Sequence, residues 1–246
     1  MKKLLGVLAL TGMMALPGMA SADDSKPMGV YVGGHLGMSV ERYSDRDFYE
    51  RNGDWNLSLS SDTDGVFSGG ISVGYDFNPQ FDIPVRVELD YTARSRGEAK
   101  SGKTVPGDPG DPAASYDLTW KDKIALQTLM FNAWWDIPLD LPVTPYIGGG
   151  IGFAFINYKT SYDSVSDNGL DDEYVSGSTS ETNFAWSLGG GMAYDITENW
   201  TVDLGYRYID AGNVSKTFRD AQGDIDTKSS LDVTSHDIML GIRYTF

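Results

Sequence analysis

The chain has 246 residues, with 35 acidic against 19 basic side chains, a formal net charge of −16 at pH 7 and no cysteine. The acid excess argues against nucleic acid as a partner, because phosphate binding needs clustered Lys and Arg. The lack of cysteine excludes a disulfide-stapled scaffold, and nothing after the first apolar run is long enough for a transmembrane helix. A membrane-spanning form of this chain must therefore be a closed β-barrel, because only helices and closed barrels satisfy their backbone hydrogen bonds in lipid.

The N-terminal residues predict a secretory signal peptide at 1–22. Met1–Lys3 carries two positive side chains, Leu4–Leu16 is an apolar run, and Ala20–Ala22 offers a cleavage site with small residues. The apolar run is too short to cross a bilayer. Cleavage of the signal peptide removes two lysines, so the formal net charge changes from −16 to −18. Residues 23–246 are predicted to form one barrel domain.

Eight segments of the remaining chain alternate apolar with polar side chains, as strands do when their two faces meet different surroundings. They are residues 29–41, 65–77, 85–96, 120–137, 145–160, 181–196, 200–210 and 236–246. The fourth segment is irregular, because residues 121–127 do not alternate cleanly. A β-bulge or an early entry into a loop explains the irregularity, and both readings stay open.

The connections between these segments alternate between long and short. Short turns lie at 78–84, 138–142 and 197–199, and long loops are predicted at Tyr43–Thr63, Gly97–Leu118, Ser161–Ser180 and Ala211–Leu231. This asymmetry predicts an all-β fold, an eight-stranded antiparallel up-and-down transmembrane β-barrel with its long loops at one rim. An immunoglobulin-like sandwich has more even turns and shorter strands. Aromatic residues near the short turns predict an interfacial girdle: Phe77, Trp134, Trp135, Tyr194, Trp200 and Phe246.

The last segment ends on an aromatic residue, with apolar side chains at every second position before it: Ile238, Leu240, Ile242, Tyr244 and Phe246. This ending resembles the C-terminal assembly signal of bacterial outer-membrane barrels. Six blocks in order resemble the small eight-stranded outer-membrane barrels of the OmpA-like or opacity-type surface protein superfamily: Gly29–Gly37, Val87–Tyr91, Leu129–Asp136, Pro145–Gly152, Leu204–Tyr208 and Met239–Phe246.

The resemblance implies a bacterial outer-membrane location after removal of the signal peptide. It also implies insertion by the barrel assembly machinery, contact with outer-membrane lipids and lipopolysaccharide, and loops that meet an external host or surface ligand. It names no particular ligand.

Nine titratable side chains fall in the polar register and are predicted to line the barrel lumen: His35, Arg86, Glu88, Asp90, Arg94, Asp203, Arg207, Asp237 and Arg243. A charge on the lipid face at the bilayer midplane costs ~2–4 kcal/mol, so these groups must point inward. Eight strands leave a bore that side chains just fill, and glycines on the fifth and sixth segments would make room for the Arg and Tyr side chains opposite. The network is either a structural plug of ion pairs or the gate of a narrow pore.

The sequence predicts no catalytic site. Ser235 and His236 are adjacent and face opposite sides of a strand, and Ser39 lies ~13 Å along the strand from His35. A nucleophile for His35 would have to come from a neighbouring strand, at Ser68 or Ser72. The acidic residues between 163 and 173 lack the spacing of a calcium-binding loop, so no metal or cofactor is predicted.

These observations favour a non-catalytic outer-membrane β-barrel protein with an envelope structural or surface-interaction role through four long external loops. One alternative is a narrow low-conductance pore for ions or small solutes. A second alternative is a soluble lipocalin-like barrel, which would invert the faces and line a ligand cavity with the apolar set.

Overall fold

The computed structural model describes residues 28–50, 56–106, 115–168, 173–219 and 226–246. The predicted signal peptide lies outside these ranges, as do Asp171 and Asp172 of the acidic loop. The described elements are β1 (Val30–Glu50), β2 (Asn56–Leu59), β3 (Asp62–Asp76), α1 (Asn78–Phe81), β4 (Val85–Arg94), β5 (Gly97–Pro106), β6 (Ser115–Asp136), β7 (Thr144–Ser166), β8 (Glu173–Asp195), β9 (Trp200–Arg219) and β10 (Asp226–Thr245). Within these ranges no helix has the length and apolar character needed to cross a membrane.

Eight of these strands close into a ring. The order is β1-β3-β4-β6-β7-β8-β9-β10, every pair is antiparallel, and β10 returns to pair with β1 from Tyr31↔Thr245 onward. The short strands β2 and β5 extend this ring, because β2 pairs with the far end of β1 and β5 continues along β6 past the end of β4. The predicted eight-stranded antiparallel barrel is confirmed.

A belt of apolar side chains surrounds the outside of the ring. Leu36 is 75% exposed, Phe67 73% and Leu240 65%, although all three are large and apolar. A soluble protein rarely exposes so continuous an apolar surface, and a closed ring leaves no strand edge to satisfy in lipid. The belt therefore faces hydrocarbon. The soluble lipocalin-like alternative is wrong, because Leu204 is 58% exposed while Arg207 is 2% exposed.

Aromatic rings gather at the short-turn end of the belt. The ring centroids of Trp200 and Tyr244 lie 5.0 Å apart, and those of Tyr244 and Phe246 also lie 5.0 Å apart. Trp135 is 52% exposed on the same outer surface. Trp134, which was predicted to join this girdle, points inward instead and is 7% exposed, because its position alternates with that of Trp135.

The four segments predicted as long loops are mostly strand. β1 continues to Glu50, and β7 and β8 stay paired as far as Ser164↔Glu173. We call the strand parts beyond the belt the crown, comprising residues 41–50, 56–65, 97–106, 115–126, 156–166, 173–182, 211–219 and 226–235. The loop prediction was wrong because the crown has polar side chains outside and apolar ones inside, the reverse of the belt.

The crown has an apolar interior. Tyr43, Ile124, Leu126, Ile156 and Val233 belong to one buried cluster, and none of them is more than 1% exposed. These side chains come from β1, β6, β7 and β10, so they meet across the ring. The hydrophobic effect holds this part of the wall together outside the bilayer, as in a water-soluble barrel.

The irregular region of the fourth predicted segment has no bulge. β6 pairs with β7 in one unbroken register from Tyr116↔Ser166 to Asp136↔Tyr146. The irregularity lies on the neighbouring wall instead, where pairing shifts from Ala93↔Gln127 to Gly97↔Ile124 across the exposed residues Ser95 and Arg96. The alternation along β6 looked irregular because its inward side chains change from polar to apolar on entering the crown.

Candidate functional site

All nine predicted lumen side chains point into the barrel. Five of them are almost completely buried, with Asp90, Arg207 and Asp237 no more than 2% exposed, Arg86 4% and Arg94 6%. Alternation along the strands places them there, since their neighbours in sequence carry the outer apolar belt. Whether they act as a plug or as a gate stays a prediction.

An outer charged layer crosses the lumen just below the crown. Arg94 Nη2 lies 2.6 Å from Asp237 Oδ2, and Arg207 Nη1 lies 2.9 Å from Asp90 Oδ1. Arg207 also approaches Asp237 at 3.5 Å, which links the two pairs. The Thr92 hydroxyl donates to Asp90 at 2.7 Å and accepts from Arg207 at 2.9 Å. Two arginines and two aspartates thus neutralise one another in a connected network.

An inner polar layer lies toward the short-turn end. Arg86 binds Asp136 through two hydrogen bonds of 2.7 and 2.8 Å. Within the described part of the chain, Glu88 has no cation partner of this kind; it accepts hydrogen bonds from Tyr31 at 3.0 Å, Asn132 at 3.2 Å and Trp134 at 2.9 Å. Three neutral donors satisfy this carboxylate, so it stays in place without an arginine.

A small cavity of about 70 Å³ lies between the two layers and is lined in part by Tyr31, Glu88, Asp203 and Arg243. The Tyr146 hydroxyl donates to Asp203 at 3.2 Å, and the Arg243 guanidinium lies over the Tyr31 ring at 5.8 Å. The volume suits a few water molecules among polar walls. Above the cavity, the outer charged layer and the apolar crown interior fill the lumen.

Glycines make room for two large aromatic side chains of the lumen. Room for a tyrosine opposite the fifth and sixth segments was predicted, and room for Trp134 was not. A Cβ atom at Gly148 of β7 would lie 2.7 Å from the Trp134 ring, and one at Gly191 of β8 would lie 2.6 Å from the Tyr146 hydroxyl. Gly205 of β9 faces the same hydroxyl at 2.8 Å. The inward glycines therefore set how far the two rings reach across the bore.

The two histidines do not form a nucleophile–base pair. His35 Nε2 lies 3.2 Å from the Thr92 hydroxyl, not from a serine, and His35 Nδ1 lies 3.5 Å from Asp90. The Thr92 hydroxyl is fully buried and already committed to Asp90 and Arg207, so no substrate reaches it. His236 faces outward and shares a 2.7 Å hydrogen bond with the Tyr206 hydroxyl at the outer edge of the belt.

Sequence reasoning missed a second buried polar cluster, which lies inside the crown. Arg46 Nη2 donates to Asp122 at 2.6 Å, and the Tyr158 hydroxyl contacts Asp122 and Ser229 at 2.8 Å each. All four residues are at most 1% exposed. Arg46 falls in a predicted loop and Asp122 in the irregular stretch, so only the strand register of the crown reveals their meeting.

Glu41 marks the level at which the lumen leaves the bilayer. It lies one residue past Val40, the last lipid-facing side chain of β1, and it is fully buried. The Tyr43 hydroxyl donates to one carboxylate oxygen, while the other oxygen is buried without a partner among the described residues. Burial is the main cause that raises the pKa of Glu41 to about 7, and the nearby Asp237 and Asp64 raise it further.

Comparison with known proteins identifies this arrangement. A family model described as the outer membrane protein beta-barrel domain matches residues 6–246. The chain belongs to this outer-membrane β-barrel family. It is 36% identical over 231 residues to the outer membrane protein PagN of Salmonella typhimurium, covering 92% of this chain and 93% of that protein. The protein is therefore located in the bacterial outer membrane, as predicted.

Two further matches of this outer-membrane β-barrel protein are more distant. A protein of Rickettsia conorii named putative adhesin RC1281 is 23% identical over 190 residues, with 77% of this chain and 71% of that protein covered. The crystal structure of OprG from Pseudomonas aeruginosa superimposes with a TM-score of 0.49 at 13% identity, covering 90% of this chain and 98% of that one.

Proposed function

We propose that the crown is a recognition surface through which this outer-membrane barrel contacts molecules outside the cell, without catalysis. The observation that carries the proposal is the continuation of the wall well past the lipid belt, with its own packed core around Ile124 and Ile156. A mobile loop needs no such core. A rigid extension holds its outer face and tips in a fixed geometry, which lowers the ordering cost of binding.

The outer face of the crown is polar and exposed, as a recognition surface requires. On β8 the outward side chains Ser176, Ser178, Ser180 and Thr182 form an exposed row of hydroxyl groups. Hydroxyl and charged side chains on a preformed wall supply hydrogen bonds without exposing an apolar patch that would aggregate.

The printed names of two relatives agree with this proposal. The Rickettsia conorii relative is named a putative adhesin, and a 23% identical Brucella melitensis relative is named a 31 kDa outer-membrane immunogenic protein. Neither name designates an enzyme.

Shortening the hairpins of the crown tests the proposal. In three variants an Asn-Gly turn replaces residues 104–117, 163–174 or 217–228, which joins the cross-strand pairs Lys103↔Leu118, Tyr162↔Val175 and Lys216↔Ser229. Asn-Gly favours the tight turn that fits a two-residue hairpin. Bacteria that carry the intact protein should bind cultured host cells or matrix proteins, and at least one shortened variant should lose that binding.

Resistance of the unheated protein to detergent unfolding on gels serves as the control for folding and surface level. If the triple-shortened barrel, folded and present at equal amounts, binds as well as the intact protein, the ends of these three hairpins are not the recognition surface.

Two partners from the sequence analysis also belong to this proposal. We infer that Ile238, Leu240, Ile242, Tyr244 and Phe246 engage the barrel assembly machinery during insertion. What supports this is that β10 presents the first four on its outer face and that Phe246, directly after β10, is exposed as well. Outer-membrane lipids would then cover the same face after assembly.

A further inference from the structure

A group of basic side chains lies on the outside of the crown, on the wall formed by β5, β6 and β7. Arg96, Lys100, Lys121 and Lys159 are exposed, and Lys123 is partly exposed. We call these five residues the basic patch. The patch stands out in a chain whose formal net charge is −16.

The basic patch places like charges directly opposite each other. Lys100 pairs across the strands with Lys121, and Lys123 pairs with Lys159. Like charges at opposed positions of a sheet are destabilising. The carboxylate of Glu98 contacts Lys123 at 2.7 Å and Lys100 at 3.3 Å, while Asp62 and Asp64 of β3 bind the backbone N–H groups of Lys100 and Glu98. Glu98 is thus the carboxylate that pairs with the lysine side chains, which leaves a surplus of three positive charges among these five side chains.

The electrostatic character of the basic patch also shows in its one carboxylate. Hydrogen bonds from Lys123 and Lys100 hold the pKa of Glu98 below its ordinary value. Exposed pairs of this kind contribute little to stability. The surplus charge is thus not explained by folding, and it fits a ligand with several negative charges.

The height of the basic patch indicates where that ligand lies. Lys159 is four residues past Phe155, the last aromatic residue on the outer face of β7, and Lys123 is four residues from Gln127, which holds the Tyr91 hydroxyl at 2.9 Å. At ~3.3 Å per residue and a strand tilt near 40°, four residues rise about 10 Å. A lysine side chain spans much of that distance when it bends toward the membrane.

We propose that Arg96, Lys100, Lys121, Lys123 and Lys159 bind the phosphate groups of lipopolysaccharide in the outer leaflet beside the barrel. This glycolipid carries its phosphates on the sugars just above the acyl chains, at the level that the patch overlooks. Divalent cations normally neutralise neighbouring phosphates there, and the lysines take over that role along one wall. The proposal does not depend on the recognition function of the crown.

The test measures the affinity of lipid A for the folded protein in nanodiscs of zwitterionic phospholipid. Fluorescent lipid A with both phosphates is compared with dephosphorylated lipid A. The intact protein should prefer the phosphorylated form, and K123Q/K159Q should bind it about 25-fold more weakly, since each of the two basic residues near an anionic surface contributes roughly a fivefold factor. Raising the salt concentration should weaken the same preference.

The matched control is R42Q/K103Q, which also removes two exposed positive charges. Arg42 lies on β1 opposite Thr63 and Thr234, on another wall, and Lys103 lies further along β5, beyond the patch. This control should keep the affinity of the intact protein. Arg42 and Lys103 are exposed, and Lys123 and Lys159 lie on the outward register of their strands, so none of the four changes enters the packed interior. Gel resistance of the unheated protein verifies that each variant is folded.

Three results would overturn the proposal. One is an unchanged affinity in K123Q/K159Q; another is an equal loss in the control, which would leave only an effect of net charge. The third is intact protein that does not distinguish the two lipids but binds a soluble sulfated polysaccharide through the same lysines, which would make the patch a polysaccharide site.

Discussion

Arg94 of β4 and Asp237 of β10 form an ion pair 2.6 Å long across the lumen, although 143 residues separate them in the chain. Both side chains are fully buried. We expect Asp237→Asn to destabilise the folded barrel by about 3–5 kcal/mol, because it leaves Arg94 buried without its counter-charge. Urea unfolding in phospholipid vesicles, followed by tryptophan fluorescence, measures this loss.

The double variant R94Q/D237N tests whether the loss comes from the pair itself. Residues in direct contact are not additive, so the double variant should lose less free energy of unfolding than the two single variants together. Strictly additive losses would show that the two side chains act independently.

The lumen is expected to conduct no ions. The cavity of about 70 Å³ ends at the outer charged layer, and the apolar side chains of the crown, with Leu126 and Ile156 at most 1% exposed, fill the space above it. Planar-bilayer recordings of the intact protein should show no steps above baseline. Steps whose size changes in Arg86, Glu88 or Arg207 variants would establish the narrow pore instead.

Gly205→Ala should destabilise the barrel by about 1–3 kcal/mol through overpacking. The added methyl group would lie 2.8 Å from the Tyr146 hydroxyl, with no other atom closer than 3.9 Å. Gly65→Ala is the matched control, because nothing lies within 4 Å of its added methyl group. Adding Tyr146→Phe to the Gly205 variant should recover part of the loss in urea unfolding. No recovery would mean that the hydroxyl is not the obstacle.

The stability of the protein should fall as the pH rises through the range in which Glu41 ionises. Burial raises the pKa of Glu41 from 4.5 to about 7, so the folded state binds the proton more tightly than the unfolded state does. The contribution of protonated Glu41 to the free energy of unfolding is then greatest below pH 4.5 and is lost as the pH rises to about 7.

Glu41→Gln should remove this pH dependence, because the amide oxygen still accepts the hydrogen bond of Tyr43 without ionising. At pH 8 we expect the variant to be more stable than the intact protein by roughly 1–3 kcal/mol. The difference between the two urea midpoints should shrink on going to pH 5. A difference that is constant with pH would rule out Glu41 as the titrating group.

Phe246→Ala tests the assembly role of the C-terminal residues. We expect a several-fold lower amount of folded protein in the outer membrane of living cells, while the purified, refolded variant keeps a normal urea midpoint. Leu204→Ala is the control, since Leu204 is 58% exposed on the belt and Phe246 is 49% exposed. Equal effects of both changes on the cellular amount would remove any special role for the last residue.

The ring and its two faces were predictable because lipid forces a strict alternation. Each outward position in the belt must be apolar, so the sequence alone places Leu89 and Ile242 on the outer face. The charged residues that alternate with apolar ones along the same strands must then point inward. The identity of each ion pair was not predictable. Arg94 meets Asp237 only through the closure of β10 on β1, and sequence gives no direct sign of that register.

The crown was not predictable for a related reason. Outside the bilayer the environment of the two faces reverses, so Ile124 and Leu126 point inward where Asn132 and Thr128 do so within the belt. The alternation of apolar and polar residues therefore reverses at this boundary, and the reversal was interpreted as the end of the strand. The buried Arg46–Asp122 pair lies beyond that point, and it was missed with the strand that carries it.

The unbroken pairing of β6 with β7 over 21 residue pairs has a consequence for where this wall can vary. Substitutions of the inward side chains would disturb the buried packing that holds the two strands together. Sequence change should therefore accumulate at the outward side chains and the hairpin ends, over a framework that stays the same.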